Sequence, residues 1–140
     1  MLNIIRILSH KSWNLTEKTL CNIYQSLSRS IIDYSSIIFD LLCETKKKTL
    51  RSIQYHALRY AMRKPLKFSH SELLITSRVC SIDKRCKDLN EKYLENAFKF
   101  NNELVIETCK NYINWYPDSR IPKHKTILGH FRGIIKSKLE

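Results

Sequence analysis

Apolar positions along this chain recur mostly at helical steps. From residue 16 to about 42, Leu20, Ile23, Tyr24, Leu27, Ile31, Ile38 and Leu42 are spaced mostly by three, four and seven, the signature of a helical stripe. Ser35 and Ser36 predict a bend or break in it, because their hydroxyls compete for backbone groups. Ile37-Ile38-Phe39 also fits a short strand, but the length of the pattern favours helix. A second helix is predicted over 45–64, with Thr45 as its cap and Pro65 as its stop. Leu50, Ile53, Ala57 and Ala61 fall on one face of it, and Lys48, Arg51, Tyr55, Arg59 and Arg63 on the other.

Further helices are predicted after Ser69 or Ser71, over about 81–100 and over 103–115. The long one carries Ile82, Cys86, Leu89, Tyr93 and Ala97 on one face; the last carries Leu104, Ile106, Tyr112 and Ile113. Pro117 and Pro122 then open a basic tail, expected to be loosely ordered with a helical stretch near FRGIIKSKL. The fold expected is all-α: a small bundle of four to five helices. Residues 1–15 form a lead segment, 16–116 the helical domain and 117–140 the tail.

Composition narrows the class. The 140 residues, 43% hydrophobic and 27% charged, suit one modest globular domain. Two glycines and three prolines argue against sandwiches, barrels and phosphate-cradling loops, which use glycine freely. Five cysteines, at 21, 43, 80, 86 and 109, include no CxxC pair and read mostly as small buried apolar residues of a reducing compartment. His70, Cys80 and Cys86 lack the tight spacing of a zinc site. The first acid is Glu17, so the N-terminus keeps a mitochondrial presequence open beside a cytoplasmic or nuclear location. No run of about 18 apolar residues is present for a transmembrane helix.

Charge is where the sequence is unusual. The net charge is +12, and it is segregated. Lys46, Lys47, Lys48, Arg51, Arg59, Arg63, Lys64 and Lys67 lie in one block without an acid, and a second acid-free block runs from Arg120 to Lys138. Between them, 83–107 is close to neutral. Two blocks of this kind point to a polyanion, nucleic acid first and an anionic membrane surface second. Tyr55, Tyr60 and Phe68 interleave with the first block and are placed to stack on bases or sugars; packing at the edge of the core is the plain alternative for Tyr60 and Phe68.

Catalytic patterns are missing. No P-loop, dinucleotide fingerprint, nucleophile elbow or HExxH motif occurs. Asp33 and Asp40 are two helical turns apart, about 10 Å, too far to share an ion. Cys21 and Cys109 would be nucleophiles only if a histidine approached through the fold, which nothing in the sequence indicates, and His56 reads as a solvated or half-buried helix histidine. Neither a cofactor nor a small-molecule substrate is suggested.

Two phrases at fixed distance carry a resemblance: IYQSLSRSIIDYSSIIFD, residues 23–40, and LRSIQYHALRYAMRKP, residues 50–65. Together they resemble the region just downstream of the catalytic palm in reverse transcriptases of non-LTR (LINE-type, jockey-like) retrotransposons. Trp13, Tyr24, Ser26, Leu27, Arg29, Ser30, Asp33, Tyr34, Leu50, Ile53, Gln54, Ala57, Leu58 and Arg59 stand at matching spacing, and RCKDLNEKYLENA resembles a later family segment. The likeness spans about residues 1–100. It departs at Asn14 and Ser35, where the family has glycine, and at Met62-Arg63-Lys64-Pro65.

The resemblance implies that 16–116 is a thumb-like domain, without the palm aspartates and magnesium ions that would make a polymerase. It implies an RNA or RNA/DNA partner gripped by its backbone, together with the rest of a polymerase chain. The nucleic-acid-binding residues would be Lys46, Lys47, Lys48, Arg51, Tyr55, Arg59, Arg63, Lys64 and Lys67. An inert helical scaffold protein and a basic membrane-surface or mitochondrial protein are the alternatives.

Overall fold

The computed structural model describes residues 2–115 and 127–139. Within them the chain is helical, without strands: α1 Leu2–Leu8, α2 Glu17–Tyr24, a π turn Gln25–Arg29, α3 Ser30–Tyr34, α4 Ser36–Phe39, α5 Glu44–Ala61, α6 His70–Ser77, α7 Ile82–Lys99, α8 Glu103–Trp115, α9 Ile127–His130 and α10 Arg132–Leu139. The all-α expectation holds.

Local chemistry sets the helix ends. Thr16 caps α2 by accepting from Thr19 N, and Ser81 caps α7 by accepting from Lys84 N. Ser69 and Glu72 form a reciprocal capping box on α6, satisfying amides that a helix start leaves open. Thr45 does not cap α5 as expected: the helix begins one residue earlier, behind Cys43, with no side-chain cap. Helix ends that usually take glycine fall to Arg63, Arg78 and Asn101, all at positive φ, in a chain with only two glycines.

The first stripe is helical and breaks at Ser35, but its face turns on the way. The π turn at Gln25–Arg29 takes one extra residue into the helix, which rotates everything beyond it by about 100°. Leu20 and Tyr24 are buried before the turn; Ser28 and Arg29 within it and Ser36 and Phe39 beyond it are buried, while Leu27, Ile31 and Ile38 face out.

Three core clusters hold the helices. The largest joins Ile5 of α1, Leu20, Cys21 and Tyr24 of α2, Ala57, Leu58, Ala61 and Met62 at the end of α5, and Leu73 and Val79 around α6. The lead segment therefore contributes to the core through Ile5. A second cluster packs Phe39 on Ile82 and Cys86, and a third packs Leu94 and Cys109 with Phe131 and Ile135.

That third cluster includes part of the tail. The helical stretch expected near FRGIIKSKL is present: residues 127–139 are helical and bury Phe131 and Ile135 against α7 and α8. The remainder of the tail, with Arg120, Lys123 and Lys125, lies outside the described residues.

Candidate nucleic-acid interface

α5 and the loop after it carry the nine candidate binding residues, eight cations and Tyr55, and the structure divides them into two groups. Lys46, Lys48 and Lys67 are exposed with no ion-pair partner among the described residues. Lys46 and Lys48 lie in the first turns of α5, where the helix macrodipole opposes positive charge. Helix stability does not account for them there.

The other six are engaged within the fold. Lys47 Nζ is 3.8 Å from Glu44 Oε1 and 5.4 Å from the centre of the Phe39 ring. Arg51 grips Asp83 at two points and reaches Glu44 Oε2 at 3.4 Å. The Tyr55 hydroxyl sits 2.7 Å from Leu66 O and 3.1 Å from Phe68 O, tying down the loop after α5. Arg63, at φ 51°, donates to Ser9 O and Leu15 O, each at 3.1 Å. Arg59 lies over the Tyr60 ring at 4.8 Å, and Lys64 lies 5.7 Å from the Phe68 ring centre. Arg59 Nε is buried with no hydrogen-bond partner among the described residues.

The wet face of α5 is thus partly an internal clamp. Arg51 and Arg63 direct their guanidinium donors into the protein, and Tyr60 and Phe68 pack on the main core. Charge spacing does not reveal this, because the partners Asp83, Ser9 and Leu15 are far away in sequence.

Beside the lysines lies a polar network that sequence periodicity missed. Gln54 is fully buried in α5: its Nε2 donates to Cys80 O at 3.0 Å, and its Oε1 accepts from Ile82 N at 3.2 Å. Arg29, only 7% exposed, donates to the same Cys80 carbonyl and to Cys80 Sγ. Arg85 donates to Asp33 Oδ2 through Nε and Nη2, both at 3.1 Å. Asn90 donates to Ser36 O and Asp40 Oδ2, joining α7 to the break at Ser35. Burial pushes the Tyr24 hydroxyl up to about 12.

Cys21, Cys86 and Cys109 are buried, and burial raises all three thiols, Cys86 to about 12; Cys43 and Cys80 are exposed. Among the described residues no three His, Cys, Asp or Glu side chains converge as a metal site, and no helix is long and apolar enough to cross a membrane.

A second unforeseen feature is apolar. Leu27, Ile31, Tyr34, Ile38 and Leu41 are all exposed, Tyr34 to 93%. They form an exposed apolar seam that runs through the π turn, α3, α4 and the turn after it, across the break at Ser35. At its end Ile37 and Leu41 join Tyr93, Leu104 and Val105 in a groove of about 350 Å³.

Comparison of the chain with protein-family models, curated proteins and solved structures returns no match.

Proposed function

We propose that this chain is a helical nucleic-acid-binding module of the thumb type that follows the palm in non-LTR retrotransposon reverse transcriptases, holding RNA or an RNA/DNA duplex by its backbone. One observation carries the reading. Tyr24, Arg29 and Asp33 of the first phrase, and Gln54, Ala57 and Leu58 of the second, meet in one core and one hydrogen-bonded network around Cys80. Residues that share a packing unit are the ones a common fold would retain. Residues kept for duplex contact alone would lie outside.

On this reading the grip comes from cations the fold leaves free, Lys46, Lys48 and Lys67, with Lys64 and Arg59 on their aromatic supports. Such contacts go to phosphates and sugars, tolerate any sequence and weaken with salt. The catalytic centre, with its metal-binding aspartates, belongs on this reading to a palm. The exposed seam from Leu27 to Leu41 is where the rest of a polymerase chain packs, in cytoplasm or nucleus. The same seam supports the second reading, an inert helical scaffold, and nucleic-acid binding separates the two.

The test is a titration of an RNA/DNA hybrid at several salt concentrations, with native chain and with Lys46→Glu, Lys48→Glu and Lys67→Glu combined. Binding that is salt-sensitive and lost in the triple variant is expected. Absence of binding at about 50 mM salt, or binding indifferent to the triple variant, overturns the proposal.

A further inference from the structure

A second basic surface is assembled far from α5, from residues scattered in the sequence. Lys99 ends α7, Lys110 lies midway along α8, and Lys136 and Lys138 lie in α10. They line two adjoining depressions of about 670 and 420 Å³ that share Lys110 and Leu139. Glu95 is the one acid lining them among the described residues. All four lysines are exposed, and none is ion-paired among the described residues. Phe131 and Ile135, packed on Leu94 and Cys109, bring the α10 lysines to the other two.

Helix dipoles account for part of this. Lys99, Lys136 and Lys138 lie in last turns, where positive charge is favourable. Lys110 does not, and four lysines against the single carboxylate of Glu95 leave these depressions with an excess of positive charge that a bound anion relieves.

We propose that this surface is a second contact for the phosphate backbone of the same nucleic acid, an inference that rests on the proposed function. The Arg51–Asp83 pair fixes α5 to the start of α7. From Asp83 to Lys99, α7 rises about 24 Å at 1.5 Å per residue. That is roughly seven base-pair steps at the 3.4 Å rise of B-DNA, and a few more in the more compact A-like hybrid. A duplex shorter than this meets one surface at a time; a longer one bridges both, and the second contact becomes intramolecular.

The experiment compares hairpin-closed hybrids of about 6 and about 16 base pairs on the full chain, with Lys110→Glu, Lys136→Glu and Lys138→Glu combined, and with the same three changed to Gln. The native chain binds the long hybrid at least about tenfold tighter than the short one. The Glu variant brings the long hybrid down to the short one's affinity and flattens its log–log salt slope by about 2.7. The Gln variant moves the same way by less, and unchanged far-UV dichroism shows both are folded. The inference is overturned alone if these variants leave long-hybrid binding intact while the Lys46, Lys48 and Lys67 variant abolishes it. It is also overturned if they remove binding to anionic vesicles and spare the hybrid, which assigns the surface to a membrane. If the native chain binds neither hybrid, the proposed function falls first.

Discussion

Arg51 of α5 and Asp83 of α7 form a two-point ion pair, with Nη2 2.6 Å from Oδ1 and Nε 2.9 Å from Oδ2. The carboxylate also lies in the first turn of α7, where negative charge complements the helix dipole. Both side chains are more than a third exposed, so solvent screens the pair. A double-mutant cycle of Arg51→Gln and Asp83→Asn should give a coupling of about 1 kcal/mol in urea unfolding. Hydrogen bonding to Arg51 holds the Asp83 carboxyl below its ordinary 3.8. A depressed carboxyl stabilises the fold above its unfolded pKa and loses that contribution as pH falls through the folded one. The cycle repeated in acid, below pH about 3, should therefore show the coupling shrink; a coupling unchanged there would mean the pair is not ionic.

Gln54 is the residue on which α5, Cys80 and the start of α7 converge. Removing its amide leaves Cys80 O with Arg29 alone and the buried Ile82 N–H without its acceptor. Gln54→Ala should destabilise by about 2–4 kcal/mol, from the lost hydrogen bonds plus a small cavity. A urea midpoint close to the native one would show that water replaces the side chain.

Lysines and arginines of the basic block should separate by assay. Changing Lys46, Lys48 and Lys67 to Gln should reduce the salt slope of hybrid binding by up to about 2.7, at 0.9 per contact, and leave stability within about 0.5 kcal/mol. Arg63→Gln should do the reverse. Its guanidinium donates to Ser9 O and Leu15 O, so its loss should lower the melting temperature and leave the slope in place. Melting curves and salt titrations on the same samples decide this, and an Arg63 variant with native stability and a flatter slope would return that residue to the interface.

Helix content was legible in the sequence because apolar spacing and capping residues are local. The break at Ser35, the stop near Pro65 and the helices at 70–77, 82–99 and 103–115 all follow from neighbours within a turn or two. Facing was legible on α5, where Ala57 and Ala61 are buried as the spacing predicts, but not between residues 25 and 41. The π turn has no hydrophobic signature, yet it turns Leu27 and Ile31 outward and Ser28 and Arg29 inward. On α7 the buried face runs Ile82, Cys86, Asn90, Leu94 and Ala97, where apolar spacing pointed to Leu89 and Tyr93. A buried asparagine is recognised only with its distant acceptors in view, here Ser36 and Asp40. On α8 Cys109 is buried and Leu104 exposed, because α10 covers the cysteine side. The candidate interface was half legible: charge blocks mark the lysines, but the acids and carbonyls that occupy the arginines are long-range partners.

His70 gives the fold a pH dependence near neutrality. It starts α6, partly buried, and its Nε2 has no hydrogen-bond partner among the described residues. Burial lowers its pKa from 6.5, with Asp83 opposing weakly. The unfolded chain therefore binds the proton more readily, and stability is present above pH about 6.5 and lost as pH falls below it. Melting temperature should decline between pH about 7 and 5, and His70→Gln should flatten that decline. Equal slopes in both proteins would assign the acid sensitivity to other groups.

The apolar seam predicts how the isolated chain behaves in solution. Tyr34 is almost wholly exposed and Ile31, Ile38 and Leu41 are each more than half exposed, so their substitution removes only part of their internal contacts. Ile31→Ser, Tyr34→Ser, Ile38→Ser and Leu41→Ser combined should shift unfolding by no more than about 2 kcal/mol, taking about 0.5 for each exposed position. Exposed seams of this kind drive association and bind hydrophobic dyes. The native chain should sediment as a mixture that grows with concentration and should enhance dye fluorescence; the quadruple variant should run as a monomer with the enhancement reduced. Because the substitutions leave Lys46, Lys48 and Lys67 in place, hybrid affinity per chain should stay within about threefold of native, a change under 1 kcal/mol. A variant that remains monomeric but loses hybrid binding would mean that self-association through the seam builds the basic surface, and the lysines would then act across two chains.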